Sequence, residues 1–268
     1  MSNHDDPAAA PLPAAPPPVA AEIFGTAIGQ AERYAGLLAG PGVERGLLGP
    51  GEAARLWDRH LLNCAVVAEL VPSPCSLIDL GSGAGLPGIV LAMLLPGITV
   101  TLLEPMARRV TFLEECIQIL GLANAEVRRG RAEDVTGLLA ADVVTARAVA
   151  PLDKLAGLAI GLLKPGGVVL AIKGAGAAAE VSRARPELRR LGARDVEVLR
   201  AGSGRVDPAA TVVRFTAGRP GGQALRPGIP GAVGAGDLRH GPQGRAGRGP
   251  VPPRRAAQGL GRGRRGSG

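Results

Sequence analysis

The chain has 268 residues, room for one large domain or one domain with tails. Apolar residues make up 46% and charged residues 20%, which excludes a wholly disordered protein. The net charge of +8 is uneven: from position 217 onward there are ten Arg, no Lys and one acid, a balance of +9, so the first 216 residues sit near −1. The basic character therefore belongs to a tail. Three cysteines without a C-x-x-C pair and three scattered histidines (His4, His60, His240) argue against a disulfide framework or a metal site, so no metal is expected. Neither a signal peptide nor a membrane-spanning stretch is legible, since the apolar run at 88–103 is broken by Pro96-Gly97, and a soluble cytoplasmic protein is the expectation.

Residues 1–20 are mostly Ala and Pro and read as a flexible leader. Phe24, Ala27, Ile28, Ala31 and Leu38 then recur at helical spacing, ended by Gly40-Pro41-Gly42. A second helix over 51–70 puts Leu56, Trp57, His60, Leu61, Cys64, Ala65 and Ala68 on a broad face, closed by Pro72 and Pro74. From there short apolar strands alternate with helices. Strands are predicted at 76–80, 98–103, 125–128, 141–146, 168–172, 195–199 and 211–216. Helices are predicted over 87–95, 107–120, 152–163 and 177–191, the third stopped by Lys164-Pro165-Gly166-Gly167 and the last interrupted at Pro186. This alternation describes an α/β fold with a mostly parallel sheet covered on both faces. The last two strands have no helix between them, so the closing strand runs antiparallel.

The most informative stretch is Ile78-Asp79-Leu80-Gly81-Ser82-Gly83-Ala84-Gly85-Leu86-Pro87-Gly88. A strand runs into a loop with glycine at alternate positions, and a helix begins near Pro87. Gly83-x-Gly85-x-x-Gly88 satisfies the dinucleotide fingerprint, a weak match by itself. Asp79, Gly81, Gly83 and Gly85 equally satisfy an S-adenosylmethionine loop. Electrostatics favours the methyl donor, because Asp79 would repel a pyrophosphate but can hold the donor's ammonium group, directly or through water. Glu104 ends the second strand, where the ribose hydroxyls of either cofactor need an acceptor. Ala132 and Glu133 follow the third strand, at the adenine position of methyl-donor folds, although Glu133 also reads as a helix-capping or surface acid. Arg147 and Lys173 end the fourth and fifth strands and border the crevice of an open α/β sheet. Arg147 suits the donor carboxylate or a nucleic-acid substrate, Lys173 a phosphate.

No Asn-Pro-Pro-Tyr-like run and no Pro-Cys follows the fourth strand, which argues against methylation of an exocyclic amine or of a pyrimidine carbon. A ring nitrogen such as guanine N7 needs neither device, nor a general base or metal, because it presents an in-plane lone pair. At this level an NAD-dependent oxidoreductase and a non-catalytic RNA-binding or assembly factor remain alternatives.

The chain resembles the RsmG (GidB, glucose-inhibited division protein B) family of bacterial 16S ribosomal RNA guanine-N7 methyltransferases. The matching runs are Arg55-Leu56-Trp57-Asp58-Arg59-His60-Leu61-Leu62-Asn63, the loop from Asp79 to Gly88, Phe112-Leu113, Leu120-Gly121-Leu122-Ala123-Asn124, Arg131-Ala132-Glu133, Thr145-Ala146-Arg147-Ala148-Val149-Ala150-Pro151-Leu152 and Lys173-Gly174. The resemblance spans about residues 21–216. It implies a Rossmann-like S-adenosylmethionine-dependent fold and modification of a guanine in the decoding-region loop of the small subunit's 16S rRNA. It also implies donor contacts at Gly81, Leu86, Ala132, Glu133 and Arg147, with Glu104 at the ribose. Many members carry Asp-Ser where this chain has Asn63-Cys64, and His60 reads either as facing RNA or as holding a core hydrogen bond. The segment 217–268 is foreign to the family and should be disordered: it reads either as an RNA-binding Gly/Arg tail or as an out-of-frame extension.

Overall fold

A computed structural model describes residues 14–218. The expected tail and most of the expected leader lie outside those residues. The leader ends earlier than its composition suggests, because Pro18 already opens α1 (Pro18–Phe24) as its first helical residue; proline fits there, having no amide hydrogen to leave unpaired. A 3₁₀ turn leads into α2 (Ile28–Leu37), and a π turn over Leu38–Gly42 absorbs the Gly-Pro-Gly that was predicted to end the helix. The second predicted helix is a composite of a 3₁₀ turn (Pro50–Arg55), a π segment (Leu56–Leu62), α3 (Asn63–Ala65) and a second 3₁₀ turn (Val66–Leu70).

The alternating part follows as β1 (Ser76–Leu80), α4 (Gly88–Leu94), β2 (Thr99–Glu104), α5 (Ala107–Leu120), β3 (Ala125–Arg129), α6 (Ala132–Val135), β4 (Ala141–Arg147), α7 (Leu152–Ile160), β5 (Leu163–Lys173), α8 (Ala177–Arg190), β6 (Ala193–Ala201) and β7 (Ala210–Ala217). The four-residue α6 is not among the helices expected from the sequence, and two further details differ. Lys164-Pro165-Gly166-Gly167 does not merely stop a helix: it is a bulge inside β5, where Gly166 takes a positive φ of 80° and the register on β4 shifts between Ala141 and Val143. Pro186 does not interrupt α8, which continues through it to Arg190 with the proline on the exposed side.

The sheet order is β3-β2-β1-β4-β5-β7-β6, with β7 antiparallel to both neighbours and every other pairing parallel. The order reverses between β1 and β4, the place where open α/β sheets bind ligands at the strands' carboxyl ends. One buried cluster joins α1, α2, the 50–70 segment, α4 and α5 to one face of the sheet, and the other joins α6, α7 and α8 to the opposite face. Among the described residues no helix is long and apolar enough to cross a membrane.

Asn124 shows why the run ending in it matters to the fold. Its amide nitrogen donates toward the carbonyls of Ala92, Leu95 and Ile98 (3.1, 3.2 and 3.2 Å), tying the end of α4 to the edge between β2 and β3. Asn124→Ala removes this amide donor, although the Leu95 carbonyl keeps its bond from Ile98 N–H, and is expected to cost roughly 1–3 kcal/mol in urea unfolding.

Candidate functional site

The turn after β1 is shaped by steric limits as much as by ligand needs. Gly81, Gly83 and Gly85 all have positive φ. A side chain at Gly81 would place Cβ 2.9 Å from Val149, and one at Gly88 would lie 2.3 Å from Leu102 and 2.7 Å from an Asp79 oxygen. The loop is thereby held close against β1, β2 and the turn after β4. Asp79 itself has no exposed surface. Its Oδ2 accepts hydrogen bonds from Ser82 Oγ (2.5 Å) and Gly88 N–H (3.0 Å), and its Oδ1 from Thr145 Oγ1 (3.2 Å). Burial raises its pKa to about 6, against the lowering effect of these donors. Both Asp79 oxygens are engaged within the fold, which bears against the direct form of the expected ammonium contact and leaves the form through water.

Glu104, 1% exposed at the end of β2, accepts from Gly83 N–H and Met106 N–H at 3.0 Å each and faces Arg109 at 3.6 Å. Its carboxylate and Asp79's hold the loop from opposite sides. Leu86 and Ala132 are buried, Glu133 is exposed at the start of α6, and Met106 is an exposed apolar side chain close in sequence to Glu104.

Arg147 closes the other side of the cleft. Its Nη1 donates to Cys64 Sγ (3.2 Å), and its Nη2 to the Arg59 carbonyl (3.1 Å) and to His60 Nδ1 (2.5 Å). His60 Nε2 lies 2.7 Å from Glu52 Oε2. Burial, then the neighbouring Arg147 charge, push the His60 pKa below its ordinary value, and burial pushes the Cys64 thiol up, so both are neutral partners. Glu52, Arg59, His60 and Arg147, with Lys173 and Arg200, border a cavity of about 550 Å³ at the carboxyl ends of β4 and β5. Lys173 is less free than its position promised: its Nζ donates to the Ala150 carbonyl and to Glu180, each at 2.9 Å.

A family model described as rRNA small subunit methyltransferase G matches residues 27–206. The ribosomal RNA small subunit methyltransferase G of Thermobifida fusca (strain YX) is 58% identical over 201 residues, 75% of this chain and 85% of that protein. Its counterpart in Streptomyces avermitilis is 54% identical over 216 residues, 80% of this chain and 90% of that one. The chain belongs to the rRNA small subunit methyltransferase G family. A solved SAM-dependent O-methyltransferase from Thermotoga maritima is also similar, with a TM-score of 0.49 and 17% identity over 60% of this chain and 67% of that one.

As a member of that family the chain is an S-adenosylmethionine-dependent methyltransferase, not an oxidoreductase or a non-catalytic factor. The residues present fit the donor: a glycine cradle closed to larger side chains, a buried acid at the end of β2, and a cation at the end of β4. Sequence reasoning missed three residues that hold this site. Tyr34 Oη donates to the Ala84 carbonyl (2.6 Å), so a fully buried phenol from α2 supports the glycine loop. Glu52 and Cys64 are the other two. Tyr34 carried one signal, as the single tyrosine of the chain, set in an Ala- and Gly-rich helix.

The raised Asp79 pKa has a testable sign. The fold binds this proton more tightly than the unfolded chain, whose reference value is 3.8, so stability falls as pH rises from there to about 6. The two-unit shift corresponds to about 3 kcal/mol. Urea unfolding near pH 4 and near pH 7 is expected to show wild type losing about that much relative to Asp79→Asn. His60 contributes with the opposite sign but equally to both proteins, and Asp142, whose pKa is lowered by Ser76 and Lys164, titrates below this window.

Proposed function

We propose that the chain methylates N7 of a guanine in 16S rRNA, in the decoding-region loop of the small ribosomal subunit, within the cytoplasm. Family membership supports ribosomal RNA as the substrate class. The observation that carries the choice of acceptor atom is the state of the cavity's bases. His60 has both ring nitrogens engaged, by Arg147 and Glu52, and Lys173 is paired with Glu180. With its histidine and lysine both committed, and Asp58 at the exposed rim its remaining unpaired carboxylate among the described residues, the cavity supports an acceptor that has a lone pair and no proton to lose, as guanine N7 does.

S-adenosylmethionine, when bound, supplies an electrophilic methyl group on a sulfonium centre. The chain's own contribution is orientation. Gly81, Gly83, Gly85 and Leu86 border the donor's amino-acid end. Glu104 would accept from the ribose hydroxyls, Ala132 and Glu133 would stand at the adenine, and Arg147 would pair with the carboxylate. The cavity beside Arg147 receives the guanine, its base held in line with the methyl. Arg59 and Arg200 at the rim suit flanking phosphates. A near-neutral body binds naked RNA weakly, which favours an assembled small-subunit particle as the substrate.

Mass spectrometry of 16S rRNA from a strain lacking this chain is expected to show loss of one 7-methylguanosine, restored by complementation; survival of every methylated guanine would overturn the proposal. In calorimetry, Glu104→Gln is expected to weaken S-adenosylhomocysteine binding about tenfold, the loss of one charge-assisted hydrogen bond.

A further inference from the structure

Arg147 is held by a chain of polar contacts whose direction is forced. A guanidinium only donates, so His60 Nδ1, 2.5 Å from Arg147 Nη2, must present its lone pair. The proton then sits on Nε2, which donates to Glu52 Oε2 at 2.7 Å. The imidazole is 8% exposed, seated there by the π segment Leu56–Leu62, and it has one tautomer compatible with both neighbours. The Arg59 carbonyl and Cys64 Sγ complete the seat. Three of the guanidinium's five N–H groups are thereby engaged, leaving Nε–H and one Nη1–H for a ligand.

We propose that His60 and Glu52 are positioning residues for methyl transfer: His60, fixed by Glu52 as the Nε2–H tautomer, orients Arg147 so that its unengaged N–H groups meet the methyl donor's carboxylate. This rests on the assignment of Arg147 to the donor made above. Neither residue touches the reacting atoms. The charged groups facing the imidazole are Glu52 from the Pro50–Arg55 turn, Arg59 from its own segment and Arg147 from β4. Burial and Arg147 hold the imidazole below its ordinary pKa and Glu52 opposes them. The contact therefore persists as pH falls through the ordinary histidine range and breaks only when Nδ1 is protonated below it.

The chain has three histidines, so nitrogen-15 NMR of histidine-labelled full-length protein yields few imidazole signals, with His60→Asn identifying the one concerned. The wild-type signal is expected to be pure Nε2–H, with a pKa that rises in Arg147→Ala and falls in Glu52→Gln. An Nδ1–H tautomer, or a titration unmoved by R147A, overturns the relay. Calorimetry with S-adenosylhomocysteine separates aiming from packing. In H60N the amide oxygen overlays Nδ1 and keeps an acceptor for Arg147, so affinity should stay within about threefold of wild type, whereas His60→Gln, which overlays Nε2, should lose about tenfold. Equal losses in the two variants overturn the aiming role. An affinity unmoved by R147A overturns the assignment of Arg147 to the donor, a failure distinct from unmoved imidazole signals, which overturn the relay alone.

Discussion

A carboxylate without access to water must find hydrogen-bond donors within the protein, and that requirement organises the centre of this molecule. Asp79 draws its donors from three elements: the hydroxyl of Ser82 in the loop, the first amide of α4 and the hydroxyl of Thr145 on β4. Satisfying them brings the loop, the helix and the neighbouring strand to one point. The same convergence explains Gly88, since any side chain there would collide with Asp79 and Leu102. On the far side Glu104 accepts the Gly83 amide, so the turn between β1 and α4 is suspended between two buried acids. Its course is a consequence of their solvation.

The helices before the sheet are part of the same construction. Tyr34 reaches from α2 to the Ala84 carbonyl, Gln30 to the Leu120 carbonyl at the end of α5, and Phe24 meets the Trp57 ring edge to face, with centroids 6.1 Å apart. The 50–70 segment supplies Glu52, His60 and Cys64 around Arg147. Donor loop and β4 cation are therefore both braced by residues that precede β1 in the chain. Loosening the packing of α1 and α2 acts on the cleft without any change in its own residues.

Much of this architecture is legible in the residues themselves. Alternating apolar strands and amphipathic helices locate every strand and the antiparallel closure, because period-2 and period-3.6 patterns are local. The bulge in β5 is not legible in the same way: Lys-Pro-Gly-Gly is turn chemistry wherever it occurs, and only pairing with β4 makes it a strand. Among the site residues, Glu104 and Arg147 stand at the strand ends that the order of elements predicts. What cannot be read locally is which way a side chain is committed. Lys173 ends β5 as expected, yet Glu180 on the next helix claims it. Asp79 sits in the loop signature, yet its oxygens face inward. Contacts such as Tyr34 with Ala84 or Arg147 with Cys64 join positions 50 and 83 residues apart and leave no trace in spacing.

The inward turn of Asp79 changes the reason the cleft suits its donor without changing the choice. A contact argument needs an oxygen exposed to the ligand, and none is offered. A field argument needs only charge in a medium that screens poorly. With a pKa near 6, Asp79 is mainly ionised at neutral pH, and Glu104 is buried beside it. Arg147 faces them from the end of β4 with its positive charge directed to the cavity. On the proposed assignment, the strand ends of β1 and β2 would set buried negative charge near the donor and β4 a positive charge. A ligand with a cationic sulfonium and ammonium and an anionic carboxylate matches both poles. On the proposed assignment a pyrophosphate would set two negative charges against the acidic side and leave Arg147 alone to compensate them, so discrimination would rest on several charges and not on one contact.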